Sequence, residues 1–296
     1  MRRWPRRRAS SRSNNGGRAI ANWERTRVTL PISTFSATDG DGYELQMGRW
    51  SRRLAPLFIR FAAITGAVRV LDVGCGTGNL GRSLAEAPQL VSVHGLDMSP
   101  AYISYAKRRT TDPRLKFQVG DACNLPFADA AFDHTVSMLA LQFVARPDVA
   151  VREMRRVTRS GGTVATTTWD TRGGFVALRM IFDAAAMLDE RGQEARAAAY
   201  TRPMSLPGDL ERVWREAGLA NVVQDMITIR MEFASFDDFW TPMEGREGPV
   251  AEYVGSLGLA AKARLREAVQ LAYLDGERNG PRSYAATAWV VKGTVP

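Results

Sequence analysis

Between residues 51 and 65, Leu54, Leu57, Phe58 and Phe61 recur at spacings of three and four, which predicts one apolar face of a helix. Further along, short runs of apolar and β-branched residues alternate with faces of that kind. Residues 68–73, 90–96, 115–119, 132–138 and 163–169 predict strands, and 79–87, 99–109 and 148–159 predict helices. Ser99 is placed as an N-cap with Pro100 in the first turn. Ala150, Val151, Met154 and Val157 form a single stripe, and Gly161-Gly162 is expected to end that helix. The alternation predicts an α/β fold, a parallel sheet covered by helices on both faces with right-handed crossovers.

After Trp169 the pattern changes. Residues 172–218 and 235–280 read as helical and rich in Ala and Met, and are expected to form a lid over a substrate. They are separated by a strand over 221–233 and followed by a last strand over 285–292. The length of 296 residues fits one catalytic domain, expected over residues 35–296, with these two insertions.

Charge adds one correction to this picture. The formal net charge is +9, but residues 1–28 hold nine Arg and one Glu, so the rest of the chain is nearly neutral. Residues 1–34 are expected to be a disordered basic arm. They read as a solvated tail or mis-assigned start, with a transit peptide and a nucleic-acid arm as the competing readings. A folded basic face is not implied, so the charge does not favour a nucleic-acid partner. No apolar run reaches membrane-spanning length, and two cysteines, Cys75 and Cys123, fit a reducing cytoplasm better than a disulfide framework. With His94 and His134 as the only histidines, a zinc site has too few ligands and no metal is expected. Both histidines fall inside predicted strands, which favours packing or hydrogen-bonding roles, so no catalytic base is assigned.

The chemistry gathers at the ends of the first strands. The turn Gly74-Cys75-Gly76-Thr77-Gly78-Asn79 follows the first strand, where open α/β sheets bind ligands. Gly76 to Gly81 also spells GxGxxG, with Asp97 about 20 residues on, so a nicotinamide dinucleotide is the rival reading. Asp72 separates the two. A carboxylate two residues before the first glycine suits an ammonium and repels a pyrophosphate. Asp97, followed by Met98, ends the second strand and can accept from two ribose hydroxyls under either reading. Asp121 and Ala122 follow the third strand, where a carboxylate and an amide can meet the edge of adenine. Ser137 and Met138 close the fourth and should approach the amino-acid half of such a cofactor. Arg49, beside Trp50, is a candidate partner for that half's carboxylate.

Taken in order, residues 70–80, Gly95-Leu96-Asp97-Met98-Ser99-Pro100, Gly120-Asp121-Ala122, Leu125-Pro126-Phe127 and Phe132-Asp133 resemble the type 11 group of class I S-adenosylmethionine-dependent methyltransferases, relatives of the ubiquinone and menaquinone methylases. The resemblance implies a Rossmann-like, doubly wound sheet of seven strands with the last antiparallel, and S-adenosyl-L-methionine as cofactor. It implies methyl transfer to an O, N or C atom of a small-molecule acceptor. Weaker similarity at residues 47–51 and 236–240 points to an uncharacterised bacterial subgroup. The fourth strand continues as Leu139-Ala140-Leu141-Gln142-Phe143, which departs from the quinone methylases and from the Asn/Asp-Pro-Pro-aromatic run of nucleic-acid amino methylases. Phe175, Met180, Phe182, Met187, Phe239, Trp240 and Met243 are candidates for an apolar acceptor pocket. A nicotinamide oxidoreductase, an RNA methyltransferase using the arginine arm, and a non-catalytic S-adenosylmethionine-binding protein stay open as alternatives.

Overall fold

Both faces of the central strands are apolar, and the alternation decides which helix covers which face. In β1 (Arg69–Val73), Val70 packs with Phe58, Leu80, Val93 and Ile103, while Leu71 packs on the opposite side with Val151, Met154 and Trp214. The computed structural model describes residues 37–245 and 247–296, and the arm expected over 1–34 lies outside them. Six further strands complete the sheet: β2 (Ser92–Asp97), β3 (Leu115–Val119), β4 (Phe132–Met138), β5 (Thr158–Trp169), β6 (Ala220–Phe233) and β7 (Arg282–Thr294). Their order is β3-β2-β1-β4-β5-β7-β6, with β1 to β5 parallel and β7 antiparallel to both its neighbours. This is the seven-stranded doubly wound sheet the sequence implied, with its last strand reversed.

Chain entry is a continuous helical stretch: α1 (Gly40–Tyr43), a π-helical turn over Glu44–Gly48, and α2 (Arg49–Phe61). Leu54, Ala55 and Phe58 of α2 are fully buried. With α3 (Asn79–Ala85) and α4 (Pro100–Arg108), α2 covers one face of the sheet. Ser99 caps α4 by accepting from the Tyr102 amide at 3.2 Å, as its position predicted. The other face is covered by α5 (Pro147–Val157), whose buried residues are the predicted stripe of Ala150, Val151, Met154 and Val157.

Two expectations are corrected here. Gly161-Gly162 does not end α5, because the chain passes from Val157 directly into β5 and both glycines lie within that strand. The pairing of β4 with β5 jumps from Phe132↔Thr158 to His134↔Thr163, so the glycines form a bulge. Gly161 has φ of +73°, and a Cβ on Gly162 would lie 2.4 Å from the Asp133 carbonyl oxygen. Gly162→Ala is therefore expected to destabilise the fold by about 2 kcal/mol or more, read from the midpoint of chemical denaturation at unchanged slope.

The second correction concerns the segment 172–218. Its first two helices, α6 (Val176–Leu188) and α7 (Glu190–Tyr200), pack against each other, but the third, α8 (Asp209–Glu216), belongs to the sheet. Trp214 of α8 is fully buried and donates from its indole nitrogen to the Val164 carbonyl at 2.9 Å. The remaining helices are α9 (Phe236–Trp240), α10 (Gly248–Gly255) and α11 (Leu259–Leu274). They join α6 and the outer ends of β6 and β7 in an aromatic-rich cluster built on Phe233, Phe236, Phe239, Trp240 and Tyr273. Among the described residues no helix is long and apolar enough to cross a membrane.

Candidate cofactor site

The strand order reverses between β1 and β4, and the crevice outside their carboxyl ends is where such sheets take ligands. A cleft of about 160 Å³ opens there, lined by Gly74, Gly76, Asp97, Met98, Asp121, Ala122 and Met138 among others. A smaller chamber of about 20 Å³ adjoins it and is lined by Asp72, Cys75, Thr77 and Asn79. Gly74, Gly76, Met138 and Tyr43 line both. Of the fourteen residues expected to hold the cofactor, the two cavities bring together eleven.

The loop after β1 owes its shape to its glycines. The amides of Gly74 and Cys75 both donate to the Leu96 carbonyl, at 2.7 and 3.1 Å, tying the loop to the end of β2. Gly74, Gly76 and Gly78 all have positive φ, and a Cβ on Gly74 would sit 2.3 Å from that of Ala140. Gly78 leads into α3 without lining either cavity.

The three acids differ in how they are held. Asp97 accepts from the Gly76 amide with one oxygen and from the Ser99 amide with the other, both at 2.9 Å. Burial raises its pKa while those two amides oppose the rise, and each oxygen keeps a second lone pair for a hydroxyl. Asp121 uses one oxygen to accept from the Cys123 amide at 2.8 Å, holding the turn in which Ala122 also lines the cleft. Asp72 is 1% exposed, and among the described residues neither of its oxygens has a hydrogen-bond partner. Burial, with the charge of Asp97 second, pushes its pKa up to about 8. An orphaned carboxyl beside a small chamber fits a cationic group such as the ammonium end of an amino-acid cofactor.

Two of the expected residues are placed elsewhere. Arg49 does not face the cleft: its guanidinium pairs with Asp238 at 3.1 Å and lies over the Trp50 ring at 4.2 Å, so it joins α2 to α9. Ser137 is fully buried inside β4, its hydroxyl has no partner among the described residues, and it lines neither cavity. Cys75 makes only a long thiol contact with the Gly76 carbonyl, and burial raises its pKa well above the ordinary value, so it is not a poised nucleophile. His94 packs against Phe127 and Phe132, and neither histidine lines the cleft.

Residues 71–166 match the family model described as a methyltransferase domain. Over that stretch the chain carries a methyltransferase domain. Among curated relatives, the methyltransferase domain is similar to an uncharacterised protein of Mycobacterium tuberculosis, 35% identical over 41% of this chain and 44% of that one. It is also similar to the demethylmenaquinone methyltransferase of Renibacterium salmoninarum, 38% identical over 44% of this chain and 54% of that one. The chain spans about half the length of the curated relatives it matches. Among solved structures, phosphoethanolamine N-methyltransferase 2 of Haemonchus contortus, described in complex with S-adenosylhomocysteine, shares the fold at a TM-score of 0.55 and 19% identity, over 87% of this chain and 57% of that one.

Several residues of the site escape sequence reasoning, and most belong to the segment 37–48 that closes over the methyltransferase domain's glycine loop. Glu44, in the π-helical turn, accepts from the Thr77 hydroxyl at 2.5 Å and the Asn79 side-chain amide at 2.8 Å, and its other oxygen takes Arg52. Further back, Glu247 accepts from the Thr38 amide and hydroxyl, both at 2.8 Å, from the Asp39 amide, and from the Tyr102 hydroxyl at 2.9 Å. The Ser99 hydroxyl holds the Ala37 carbonyl at 2.7 Å. Tyr43, Gln46 and Met47 from this segment form part of the cleft wall. The sequence pointed to this region through Arg49 beside Trp50 and the weaker similarity at residues 47–51.

The apolar wall of the cleft also differs from expectation. Leu139, Phe143, Val144 and Trp169 supply it, with Pro249 opposite. The candidates Phe175, Met180, Phe182, Met187, Phe239, Trp240 and Met243 do not line the cleft. Most of these seven belong to the aromatic-rich cluster, and Met187 is 89% exposed.

Proposed function

We propose that this chain transfers the methyl group of S-adenosylmethionine to an O, N or C atom of a small-molecule acceptor, and that the orphaned Asp72 is the observation that carries the cofactor half of that reading. When bound, the cofactor supplies a methyl group on a sulfonium, made electrophilic by the charge and left behind as a thioether, so the protein's task is alignment and exclusion of water. Asp72 would accept the ammonium and Asp97 the ribose hydroxyls, with Asp121 and the Ala122 amide at the adenine edge. Glu44 and Glu247 would hold the segment 37–48 closed and keep water out. Among the described residues, Tyr43, Tyr102, Asp97 and Asp121 are the titratable groups lining the cleft, and the wall formed by Leu139, Phe143, Val144 and Trp169 offers no side chain that takes up a proton near neutral pH. That favours an acceptor atom that is nucleophilic without losing a proton to the protein.

Calorimetry decides the cofactor half. S-Adenosylhomocysteine should bind and a nicotinamide dinucleotide should not. Asp97→Ala should weaken binding by at least about 30-fold, because hydrogen bonds to a charged group are lost. Asp97→Asn, which keeps one amide-accepting oxygen, separates loss of the ribose contact from collapse of the loop. Equal affinity for wild type and Asp97→Ala overturns the assignment. Turnover of labelled cofactor in a metabolite extract distinguishes an enzyme from a binding module.

A further inference from the structure

A second groove, of about 330 Å³, runs beside the cleft between α7 and α10. It is lined by Phe182, Ala195, Ala198, Arg202, Pro249 and Tyr253 among others. Two residues connect it to the cofactor cleft. Pro249 lines both cavities, and Phe143, a cleft residue, carries the Arg202 guanidinium 5.0 Å from its ring centroid.

Arg202 is half-buried, and burial lowers its pKa, so its charge is held at a cost. Several half-buried arginines commit their donors, Arg49 to Asp238, Arg82 to the Thr77 carbonyl and Asn79, Arg114 to Asp112, and Arg156 to Glu153, although Arg155 does not among the described residues. Among the described residues the Arg202 guanidinium has neither an ion pair nor a hydrogen-bond acceptor, and its recorded contact is the Phe143 ring. Glu252 also lines the groove and attracts Arg202 without forming an ion pair. Contact with the Phe143 ring positions a donor fork whose shape matches carboxylate and phosphate oxygens. Apart from Arg202, Glu252 and Ser256 the groove is lined by Phe182, Ala195, Ala198, Pro249 and Tyr253, with the rings of Phe182 and Tyr253 6.2 Å apart.

We propose that this groove receives the methyl acceptor and that Arg202 binds an anionic group on it, a carboxylate or a phosphate attached to an apolar body. The inference rests on the methyl-transfer reading for the identity of the neighbouring cleft. A guanidinium unpaired among the described residues and a largely apolar trough that shares Pro249 with the cofactor cleft select for such an amphiphile.

The test is calorimetric titration of the S-adenosylhomocysteine-loaded protein with octanoate, octyl phosphate and octan-1-ol, three probes sharing one chain. At least one anion should bind ten-fold or more tightly than the alcohol, and which one identifies the headgroup. Arg202→Gln should remove that advantage, Arg202→Lys should keep part of it, and both variants should bind S-adenosylhomocysteine as wild type does. Binding of the alcohol as tight as that of both anions, binding of none of the three, or an anion advantage that survives in Arg202→Gln overturns the proposal. If the wild type fails to bind S-adenosylhomocysteine, the cofactor reading falls instead, and the same titrations on the free protein still decide the role of Arg202.

Discussion

Replacing Asp72 with asparagine is expected to raise the stability of the ligand-free protein relative to wild type increasingly from about pH 4 to 8, while weakening S-adenosylhomocysteine by 100-fold or more at pH 8. The folded-state pKa of Asp72, about 8, lies above its unfolded value. The folded protein therefore holds the proton that the unfolded chain has lost, and stability present at low pH drains away as pH rises through that window. The slope is about 1.4 kcal/mol per pH unit, on the order of 4 kcal/mol at neutral pH. Asparagine removes the slope, although its own buried amide, left without partners, reduces the absolute gain. Denaturation midpoints of the two proteins at pH 5, 6, 7 and 8 check this, and parallel pH profiles would refute it. Cofactor binding to wild type at pH 6 should also release close to one proton, because the carboxyl must ionise to meet the ammonium. Calorimetry in buffers of different ionisation heat measures that proton, and Asp72→Asn should lack it.

A second large effect is expected at Glu247. This carboxylate is 1% exposed and takes hydrogen bonds from Thr38, Asp39 and Tyr102, so Glu247→Ala leaves those donors unpaired at the mouth of the cleft. A loss of about 3 kcal/mol is expected, since hydrogen bonds to a charged buried group are worth about 1.5–3 kcal/mol each and part of the loss is recovered by water. The more telling measurement is hydrogen exchange. Amides of residues 38–48 should lose protection and S-adenosylhomocysteine should dissociate several-fold faster, with β1 to β5 unaffected. Uniform loss of protection would mean that Glu247 supports the whole fold and not the closing segment.

The parallel half of the fold was legible because its signals are local. Val70 and Leu71 point to opposite faces by the pleat alone, and the stripe from Ala150 to Val157 needs only the pitch of a helix. The glycine turn and the acids at three strand ends follow from the same logic, since a cofactor binds where strands end. What the sequence hid depends on partners distant in the chain. Arg49 reads as a free cation until Asp238 is brought beside it, 189 residues on. Glu247 looks like a loop acid until Thr38, 209 residues earlier, folds onto it. Gly161-Gly162 follows a helical stripe and reads as its stop, and only the register of β4 against β5 reveals a bulge. Phe175 and Phe239 have the composition of a pocket, but composition does not distinguish a wall facing a cavity from one facing another wall.

Three consecutive residues, Glu247, Gly248 and Pro249, stand where the closing segment, the cleft and the groove meet. Glu247 anchors the segment, Gly248 faces Gln46 so closely that a Cβ would lie 2.5 Å from the amide oxygen, and Pro249 is shared by cleft and groove. A ligand that shifts this tripeptide from one cavity alters a wall of the other, which is the geometry that linked occupancies require. Linkage is reciprocal: whatever factor a ligand in the groove adds to cofactor affinity, the cofactor returns to that ligand unchanged.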